Sequence, residues 1–409
     1  MPDASGNSAR GTGWFSATVG SGFGAIGMQS LLFSWLIVGE LRASPEWVGI
    51  AQAASALPQL ALLMAGGAVA DRVEPRRMLA AMHVMAAIPP LALAAVVLTG
   101  SLSIASVIGY GVAFGAINAF LMPPRDTLLS RVAGANMVRA VTAMTMVQFS
   151  SQIVGTLVAG TTEWVGSVPI LTMQAVILVA GAFFALRLPQ PEKTFDRPGS
   201  GPAATPNRTG GWFQATAGLR EVWHNPALFA MLLLVSSVGV LFIGPFLVVF
   251  PILVRDFYQG GAQDLSLVLT LFPVGAIAGS LALRAQGAIR LKVRATMLAL
   301  LVASVLLGMI GAAPTWPLYL LLTLCWGLTG SVFINLSRSV FQEQASTENR
   351  ARVLAVYQLG VMGGAPIGSL LSGFASESIG PHTTLFLASG VMFAIVATIW
   401  LGTGSAAIE

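Results

Sequence analysis

Residues 67–77 read Gly-Ala-Val-Ala-Asp-Arg-Val-Glu-Pro-Arg-Arg and lie between two long apolar runs. Small residues end the first run at Ala70, an acid follows at once, and four more charged residues come before the second run. In a soluble protein these letters would describe a helix C-terminus with a basic turn. Long apolar segments joined by short charged loops are instead typical of a protein that crosses a membrane many times.

The composition also indicates a bilayer as the solvent. The 409 residues are 55% hydrophobic and only 9% charged, whereas soluble domains are about 25% charged. A transmembrane helix needs about 20 apolar residues, and the apolar sequence divides into about twelve such runs. We therefore predict an all-α membrane protein with twelve transmembrane helices. Helix 1 is expected to begin near Trp14, and helix 4 is expected to end at Pro123-Pro124.

The net charge of +5 comes from unevenly placed basic residues. Only Arg42 and Arg255 fall in the connections after predicted helices 1 and 7; the other Lys and Arg residues lie in the N-terminal segment or the even-numbered connections. This positive-inside pattern predicts cytoplasmic termini in the cytoplasmic membrane of a prokaryote, and it argues against a nucleic-acid partner. The lone Cys325 excludes a disulfide framework and a cysteine-based metal site.

The two halves of the chain are repeats of one another. A shift of 213 residues aligns Arg125 with Arg338, Gly155 with Gly368 and Gly160 with Gly373. Residues 189–225 between the halves are rich in proline, glycine and charge, as in a flexible linker. The prediction is a six-helix bundle over residues 1–188, a cytoplasmic linker over 189–225 and a pseudo-symmetric six-helix bundle over 226–409.

The charged stretch at 67–77 resembles the loop between helices 2 and 3 of the major facilitator superfamily. The matching residues, here called the gate motif, are Gly67, Asp71, Arg72, Arg76 and Arg77. The family usually has a glycine where Glu74 stands. The resemblance implies two parallel six-helix halves about an axis normal to the membrane, and it implies that this loop is a conformational gate.

Three short phrases narrow the resemblance. They are Trp-Leu-Ile-Val-Gly-Glu-Leu at 35–41, Pro-Arg-Asp-Thr-Leu-Leu-Ser-Arg at 124–131 and Pro-Ile-Leu-Val-Arg-Asp-Phe-Tyr-Gln-Gly-Gly at 251–261. Together they look like the drug:proton antiporter branch that includes macrolide efflux pumps and the enterobactin exporter. This similarity implies export of an amphipathic drug or siderophore with protons as the coupling ion.

Polar and aromatic residues inside the apolar runs are candidates for a substrate cavity, because polar side chains at membrane depth face a partner helix or a water-filled space. In the superfamily, helices 1, 4, 7 and 10 line the cavity, with 2, 5, 8 and 11 beside them. The candidates are Gln29, Gln52, Gln59, Asn118, Gln148, Gln152, Phe242, Phe246, Asn335, Tyr357 and Gln358. Amides and rings suit a large, mostly apolar or neutral substrate. The alternative is that these side chains only bond neighbouring helices together.

Charges near the inner ends of helices 4 and 10 are candidates for the cavity mouth. Arg125, Asp126 and Arg338 would attract an anion from the cytoplasm, or they would serve only as positive-inside anchors and ion pairs. No carboxylate lies in the middle of a predicted helix, so proton coupling is implied by the resemblance and not by the residues. A titrating acid at the mouth and facilitated diffusion stay open.

Two further patterns carry little functional weight. Gly22, Gly24 and Gly27 match the Gly-x-Gly-x-x-Gly spacing of nucleotide-binding loops, but they lie in an apolar helix with no preceding strand. The three histidines are dispersed and form no metal-binding pattern. We predict neither a metal nor a cofactor.

These observations predict a secondary transporter that exports an amphipathic organic compound by alternating access. It is not expected to be an enzyme, and its expected partners are the substrate, membrane lipids and protons, with the chain acting as a monomer. A lipid or lysolipid flippase is one alternative. A receptor-like or scaffold protein that has kept the fold without transport is another.

Overall fold

The computed structural model describes residues 4–133, 137–188, 211–286, 291–346 and 348–402, and over these ranges the chain is helical without β-strands. Its long helices, numbered in chain order, are α1 (Ala4–Trp35, continued by a π-helical turn, Leu36–Glu40), α2 (Pro45–Ala70), α3 (Pro75–Leu98), α4 (Ile104–Ala133), α5 (Met137–Ala159), α6 (Ser167–Leu186), α7 (Pro226–Val238, a π-helical turn Gly239–Ile243, then Gly244–Asp256), α8 (Ala262–Gln286), α9 (Lys292–Gly311), α10 (Trp316–Gln344), α11 (Arg350–Ile379) and α12 (Pro381–Gly402). A short helix, Thr162–Val165, precedes α6, and the helix Gly211–His224, here called the linker helix, precedes α7.

The predicted all-helical membrane fold is confirmed. Within the described residues, ten helices are long and apolar enough to cross a membrane. The other two long helices, α2 and α5, have 26 and 23 residues, so the predicted count of twelve spans is confirmed for ten. The helix α1 begins at Ala4, ahead of the expected Trp14, because an established helix extends readily into its polar flank. Its apolar span begins at Thr12.

Equivalent glycines pack the first and fifth helices of each half against each other. A Cβ added to Gly155 of α5 would lie 2.0 Å from the carbonyl oxygen of Gly24 in α1. A Cβ added to Gly368 of α11 would lie 2.3 Å from the carbonyl oxygen of Val240 in α7. Small residues let membrane helices approach this closely. Because Gly155 and Gly368 are also equivalent in the sequence repeat, the packing confirms the pseudo-symmetric halves.

The helix α4 does not end at Pro123-Pro124 as expected but continues through both prolines for 30 residues in all. A proline lacks the N–H that would bond the carbonyl four residues earlier, and for Pro123 that carbonyl belongs to Ala119. The backbone of α2 covers it, since a Cβ on Gly66 would lie 2.4 Å from that oxygen. The hydroxyl of Thr127 donates to the Pro123 carbonyl at 3.0 Å. Neighbouring groups thus support the helix where proline removes its own bonds.

The linker helix docks on the start of α11. The carboxylate of Glu221 accepts the backbone N–H of Ser346 at 2.7 Å and the Ser346 hydroxyl at 2.9 Å. The backbone hydrogen bond is the main reason why the pKa of Glu221 lies below its ordinary value. Residues 189–210 of the predicted linker lie outside the described residues. The division of the chain at residues 188 and 226 stays a prediction.

Candidate transport pathway

We call one end of each helix distal and the opposite end proximal. The distal ends are those at the α1–α2, α3–α4, α5–α6, α7–α8, α9–α10 and α11–α12 connections. An arginine joins the two halves at the distal end. Nη1 of Arg255, at the end of α7, donates to the carbonyl of Val38 at 2.7 Å and to that of Ala43 at 3.4 Å. Its Nη2 also donates to Asp256 at 2.6 Å. Val38 lies in the π-helical turn that ends α1, where helix carbonyls lack intrahelical donors and attract a cation.

The helix α2 contacts the other half in two ways. The amide Nε2 of Gln52 donates to the Ser34 hydroxyl at 3.1 Å and to the carbonyl of Leu247 in α7 at 3.3 Å. One turn earlier, a Cβ on Gly49 would lie 2.5 Å from the carbonyl oxygen of Ser369 in α11. Gln52 is therefore a bridge between the halves in this state and not a free side chain in a cavity.

The pseudo-symmetric side has a matching contact. A carboxylate oxygen of Glu163, in the short helix after α5, accepts the backbone N–H of Ala262 at 2.9 Å, at the first residue of α8. A Cβ on Gly160 would lie 2.4 Å from the Ser266 hydroxyl. Gly160 and its repeat partner Gly373 thus close the α5–α8 and α2–α11 seams respectively. We call these contacts, together with those of Arg255 and Gln52, the distal seam.

The gate motif lies at the proximal end and interacts within its own half. Glu74 holds two arginines of the motif, with 3.4 Å to Nε of Arg76 and 3.0 Å to Nε of Arg77. Arg76 also donates to the carbonyl of Leu188, just beyond α6, at 2.8 Å. Asp71 is exposed in the loop. Glu74, which departs from the family pattern, therefore organises the basic part of the motif, a role that the spacing alone does not reveal.

The predicted cavity amides lie in different environments. Asn118 is buried and donates to the Phe114 carbonyl of its own helix at 3.2 Å, whereas Asn335 is exposed and donates to the Ser280 hydroxyl at 3.1 Å. Tyr357 is buried, with its hydroxyl 3.2 Å from that of Ser337. The partly exposed candidates are Gln29, Gln59, Gln148 and Gln152, and Gln358 is exposed. Exposed and partly exposed amides are available to a substrate, whereas Tyr357 joins α11 to α10 and Asn118 bonds only to its own helix among the described contacts.

Phe242 and Phe246 belong to an aromatic cluster that joins α7, α8 and α10. The ring of Trp326 has its centroid 5.6 Å from that of Phe242, 5.8 Å from that of Phe246 and 5.1 Å from that of Phe272. Phe246 is partly exposed, whereas Trp326 is buried behind it. Sequence reasoning missed Trp326 and Phe272, because aromatic residues in an apolar helix carry no signal that separates a binding surface from the core.

Of the charged residues predicted at the cavity mouth, Arg125 is partly buried against the first half and Arg338 is exposed. The guanidinium of Arg125 lies 5.1 Å from the centroid of the Phe23 ring and 2.8 Å from a carboxylate oxygen of Asp126. Arg125 also lines a cavity of about 30 Å³ among α1, α3, α4 and α6, together with Asn118 and His83. We call this cavity the N-half pocket.

Gln174 of α6 is a buried polar residue on a helix outside the set expected to line the cavity. It accepts the Tyr110 hydroxyl at 2.9 Å and donates to the Ala25 carbonyl at 3.1 Å. It thereby ties α4, α6 and α1 together inside the first half. Such a bridge belongs to packing and not to the pathway.

Comparison with known proteins shows the family of this chain. The sequence profile of the transmembrane secretion effector family, within the major facilitator superfamily, matches residues 12–403. The chain belongs to this family. It is accordingly a transporter of the major facilitator type and not an enzyme. A similar protein is macrolide efflux protein A of Streptococcus pyogenes, 24% identical over 184 residues, which are 44% of this chain and 45% of that relative. The matched region therefore covers less than half of the length of this curated relative.

Solved structures of the superfamily share the fold. The nucleoside transporter NupG superposes with a TM-score of 0.73 at 16% identity, over 97% of this chain and 98% of that one. A bacterial homolog of the human lysosomal transporter Spinster, solved in an inward-facing and unoccupied conformation, gives 0.70 at 13% identity, over 98% and 96%. A D-xylose–proton symporter gives 0.67 at 12% identity, over 95% and 97%. At these identities the likeness establishes the fold alone.

Proposed function

We propose that this transporter exports an amphipathic organic compound, of the drug or siderophore type, from the cytoplasm by alternating access coupled to protons. The observation that carries the proposal is the distal seam. Arg255, Gln52 and Glu163 join the halves at the distal end, while the described bonds of the gate motif, those of Arg76 and Arg77, lie within its own half. We assign this arrangement to the inward-open state of a transport cycle.

The positive-inside distribution of basic residues supports the orientation. On this basis we propose that the termini, the linker and the proximal end lie in the cytoplasm and that the distal seam lies on the outside of the cytoplasmic membrane of a prokaryote. We further propose that the chain works as a monomer surrounded by lipid.

The chemistry of the pathway supports the substrate class. Charged residues lie near the helix ends, and the second half offers the ring of Phe246 and the amide of Asn335. Rings and neutral amides bind a large apolar compound with a few polar groups, since ligand sites are mostly apolar with a few polar contacts. The similarity to a macrolide efflux protein favours the same class.

Two other functions stay as alternatives. A flippase needs a lateral opening toward the bilayer between α5 and α8 or between α2 and α11. The contacts at Gly160 and Gly49 close both seams at the distal end, which favours a pathway that opens to water at the proximal end. A scaffold without transport has no use for a gate motif whose arginines are held by Glu74.

Proteoliposomes test the proposal. Purified protein would be assayed with a radiolabelled macrolide, a catecholate siderophore and a fluorescent lysophospholipid, each with and without an imposed pH gradient. We expect gradient-dependent movement of one of the first two compounds. Movement of the lysophospholipid alone would favour the flippase, and the absence of flux for all three would reject the proposal. A variant with the distal ends cross-linked by paired cysteines, in a background lacking Cys325, is the matched control.

A further inference from the structure

The N-half pocket holds a buried histidine with an unused nitrogen. His83 of α3 is 3% exposed, and its Nδ1 lies 2.9 Å from the carbonyl oxygen of Leu79. A carbonyl only accepts hydrogen bonds, so Nδ1 carries the proton and donates. Nε2 is then the acceptor nitrogen. The backbone carbonyl of Thr18 also faces the ring but cannot donate to it, so Nε2 is buried without a hydrogen-bond partner. Buried polar atoms are nearly always satisfied, so this one indicates an occupant of the pocket.

Two glycines shape the slot that admits the imidazole ring. A Cβ on Gly181 of α6 would lie 2.6 Å from Cδ2 of His83, and a Cβ on Gly22 of α1 would lie 3.4 Å from Nε2. Any side chain at position 181 would displace the ring. Gly22 belongs to the Gly-x-Gly-x-x-Gly pattern, which is thus explained by helix packing and by room for the histidine and not by a nucleotide.

The size of the pocket limits what it holds. Its volume of about 30 Å³ admits water molecules, whereas a drug-sized ligand needs a site of roughly 300–1,000 Å³. The pocket extends from His83, about 12 Å along α3 from its proximal start, to Arg125 on α4, whose side chain keeps 20% exposure. The occupant that fits an acceptor nitrogen in a pocket of this size is water, which can deliver or remove a proton.

We propose that His83 is the proton-binding site through which this transporter couples transport to the pH gradient. Nε2 accepts one proton from water in the N-half pocket, the ring becomes an imidazolium, and the same proton returns to water when the cytoplasmic side is open. The inference rests on the proposed proton coupling. It supplies the titratable group that the acidic residues do not, because those lie near helix ends and not at mid-helix.

Few charges act on this site. Within the described stretches, α6 carries no ionisable side chain, and neither does α1 from Thr12 to Trp35. From α4, Arg125 lines the pocket, and its charge is offset by the ion pair with Asp126. Arg76 and Arg77 on α3 lie about two turns nearer its start and are held by Glu74. His83 is therefore the group whose protonation changes the charge of the pocket.

Nuclear magnetic resonance of the full chain in nanodiscs tests the site directly. The chain has three histidines, so labelled imidazoles can be assigned with His224→Gln and His382→Gln. We expect His83 in the Nδ1–H form at high pH and reversible protonation at Nε2 as the pH is lowered. Gly181→Ala should shift the His83 resonances alone. A ring that keeps one protonation state over the whole pH range in which the protein stays folded would overturn the proposal and leave a structural water as its occupant.

A second measurement separates coupling from packing. Spin labels at Ser101 and Ser378, on the distal ends of the two halves, would report the state of the seam at each pH. We expect the distance distribution to change with pH in the wild type and in His382→Gln. It should not change with pH in His83→Gln or in a second neutral variant, His83→Asn. An unchanged pH response in both His83 variants would refute the role. In proteoliposomes with a radiolabelled macrolide, His83→Gln should keep downhill exchange and lose accumulation driven by pH. If the wild type shows no flux, the proposed function is rejected. The resonances of His83 and the pH response of the spin-label distances then still test the proton site.

Discussion

Arg255→Ala is expected to open the distal end of the molecule. In the wild type the guanidinium crosses from α7 to the carbonyls of Val38 and Ala43 in the other half. A hydrogen bond from a charged donor contributes about 1.5–3 kcal/mol when both states are otherwise equal. When the seam opens, water replaces the carbonyls and returns part of this energy. A net loss of roughly 1–2 kcal/mol would change the population ratio of the two states by a factor of about 5–30.

The spin-label distance between Ser101 and Ser378 measures this change in a variant without Cys325. We expect a longer component to grow in Arg255→Ala. Arg255→Lys keeps the charge but not the fork that reaches two carbonyls, so its effect should be intermediate. Arg42→Ala is the matched control, because Arg42 is the other distal arginine and its side chain is exposed. If Arg255→Ala and Arg42→Ala give the same distribution as the wild type, the seam does not depend on this arginine.

Three further predictions concern the gate, the packing and the linker. Asp71→Asn should favour the inward-open state and slow transport. The reason is that a carboxylate near the start of α11 is stabilised by about 0.3–1 kcal/mol when the proximal end closes. Normal transport together with unchanged distances between spin labels at the proximal ends of α2 and α11 would contradict this. Gln174→Leu should lower thermal stability by about 1–3 kcal/mol, because it leaves the buried Tyr110 hydroxyl unpaired and removes the bond to the Ala25 carbonyl of α1. Gln358→Leu at an exposed site should not have this effect. Equal melting curves would refute the bridge. The pKa of Glu221 is lower in the folded protein than its ordinary value. Docking of the linker helix should therefore be complete above the ordinary glutamate pKa, about 4.3, and weaken as the pH falls through the lowered value. Trp223 fluorescence would follow the docking, and a Glu221→Gln variant with the same pH response would rule the carboxylate out.

The sequence was sufficient for the fold because the bilayer imposes length and composition on each span. The repeat also predicted that Gly155 and Gly368 are equivalent, and both pack against the backbone of a neighbouring helix. Helix ends were less predictable. Pro123 and Pro124 normally stop a helix, and only the approach of Gly66 from another part of the chain explains why α4 continues.

The candidate site was predicted in outline and not in detail, because an amide in an apolar helix has the same letter whether it faces water or another helix. Gln52 bridges the halves, Asn118 is buried in the first half and Asn335 is exposed. His83 was set aside as one of three dispersed histidines. Its importance depends on the pocket around Nε2, which four different helices create.

The distal seam is weak, and this weakness fits alternating access. The described hydrogen bonds between the halves come from the side chains of Arg255 and Gln52 and from one backbone N–H that reaches Glu163. The glycine contacts add close packing but no directional bond, and dispersion can be regained against a shifted neighbour. A transporter needs two states within a few kcal/mol of each other, because a ligand must otherwise supply about 5.5 kcal/mol of differential binding to move a 1:99 equilibrium to 99:1. With a seam of this strength, the contributions proposed for His83 protonation and for Asp71, each on the order of 1 kcal/mol, are large enough to shift the balance between the two states.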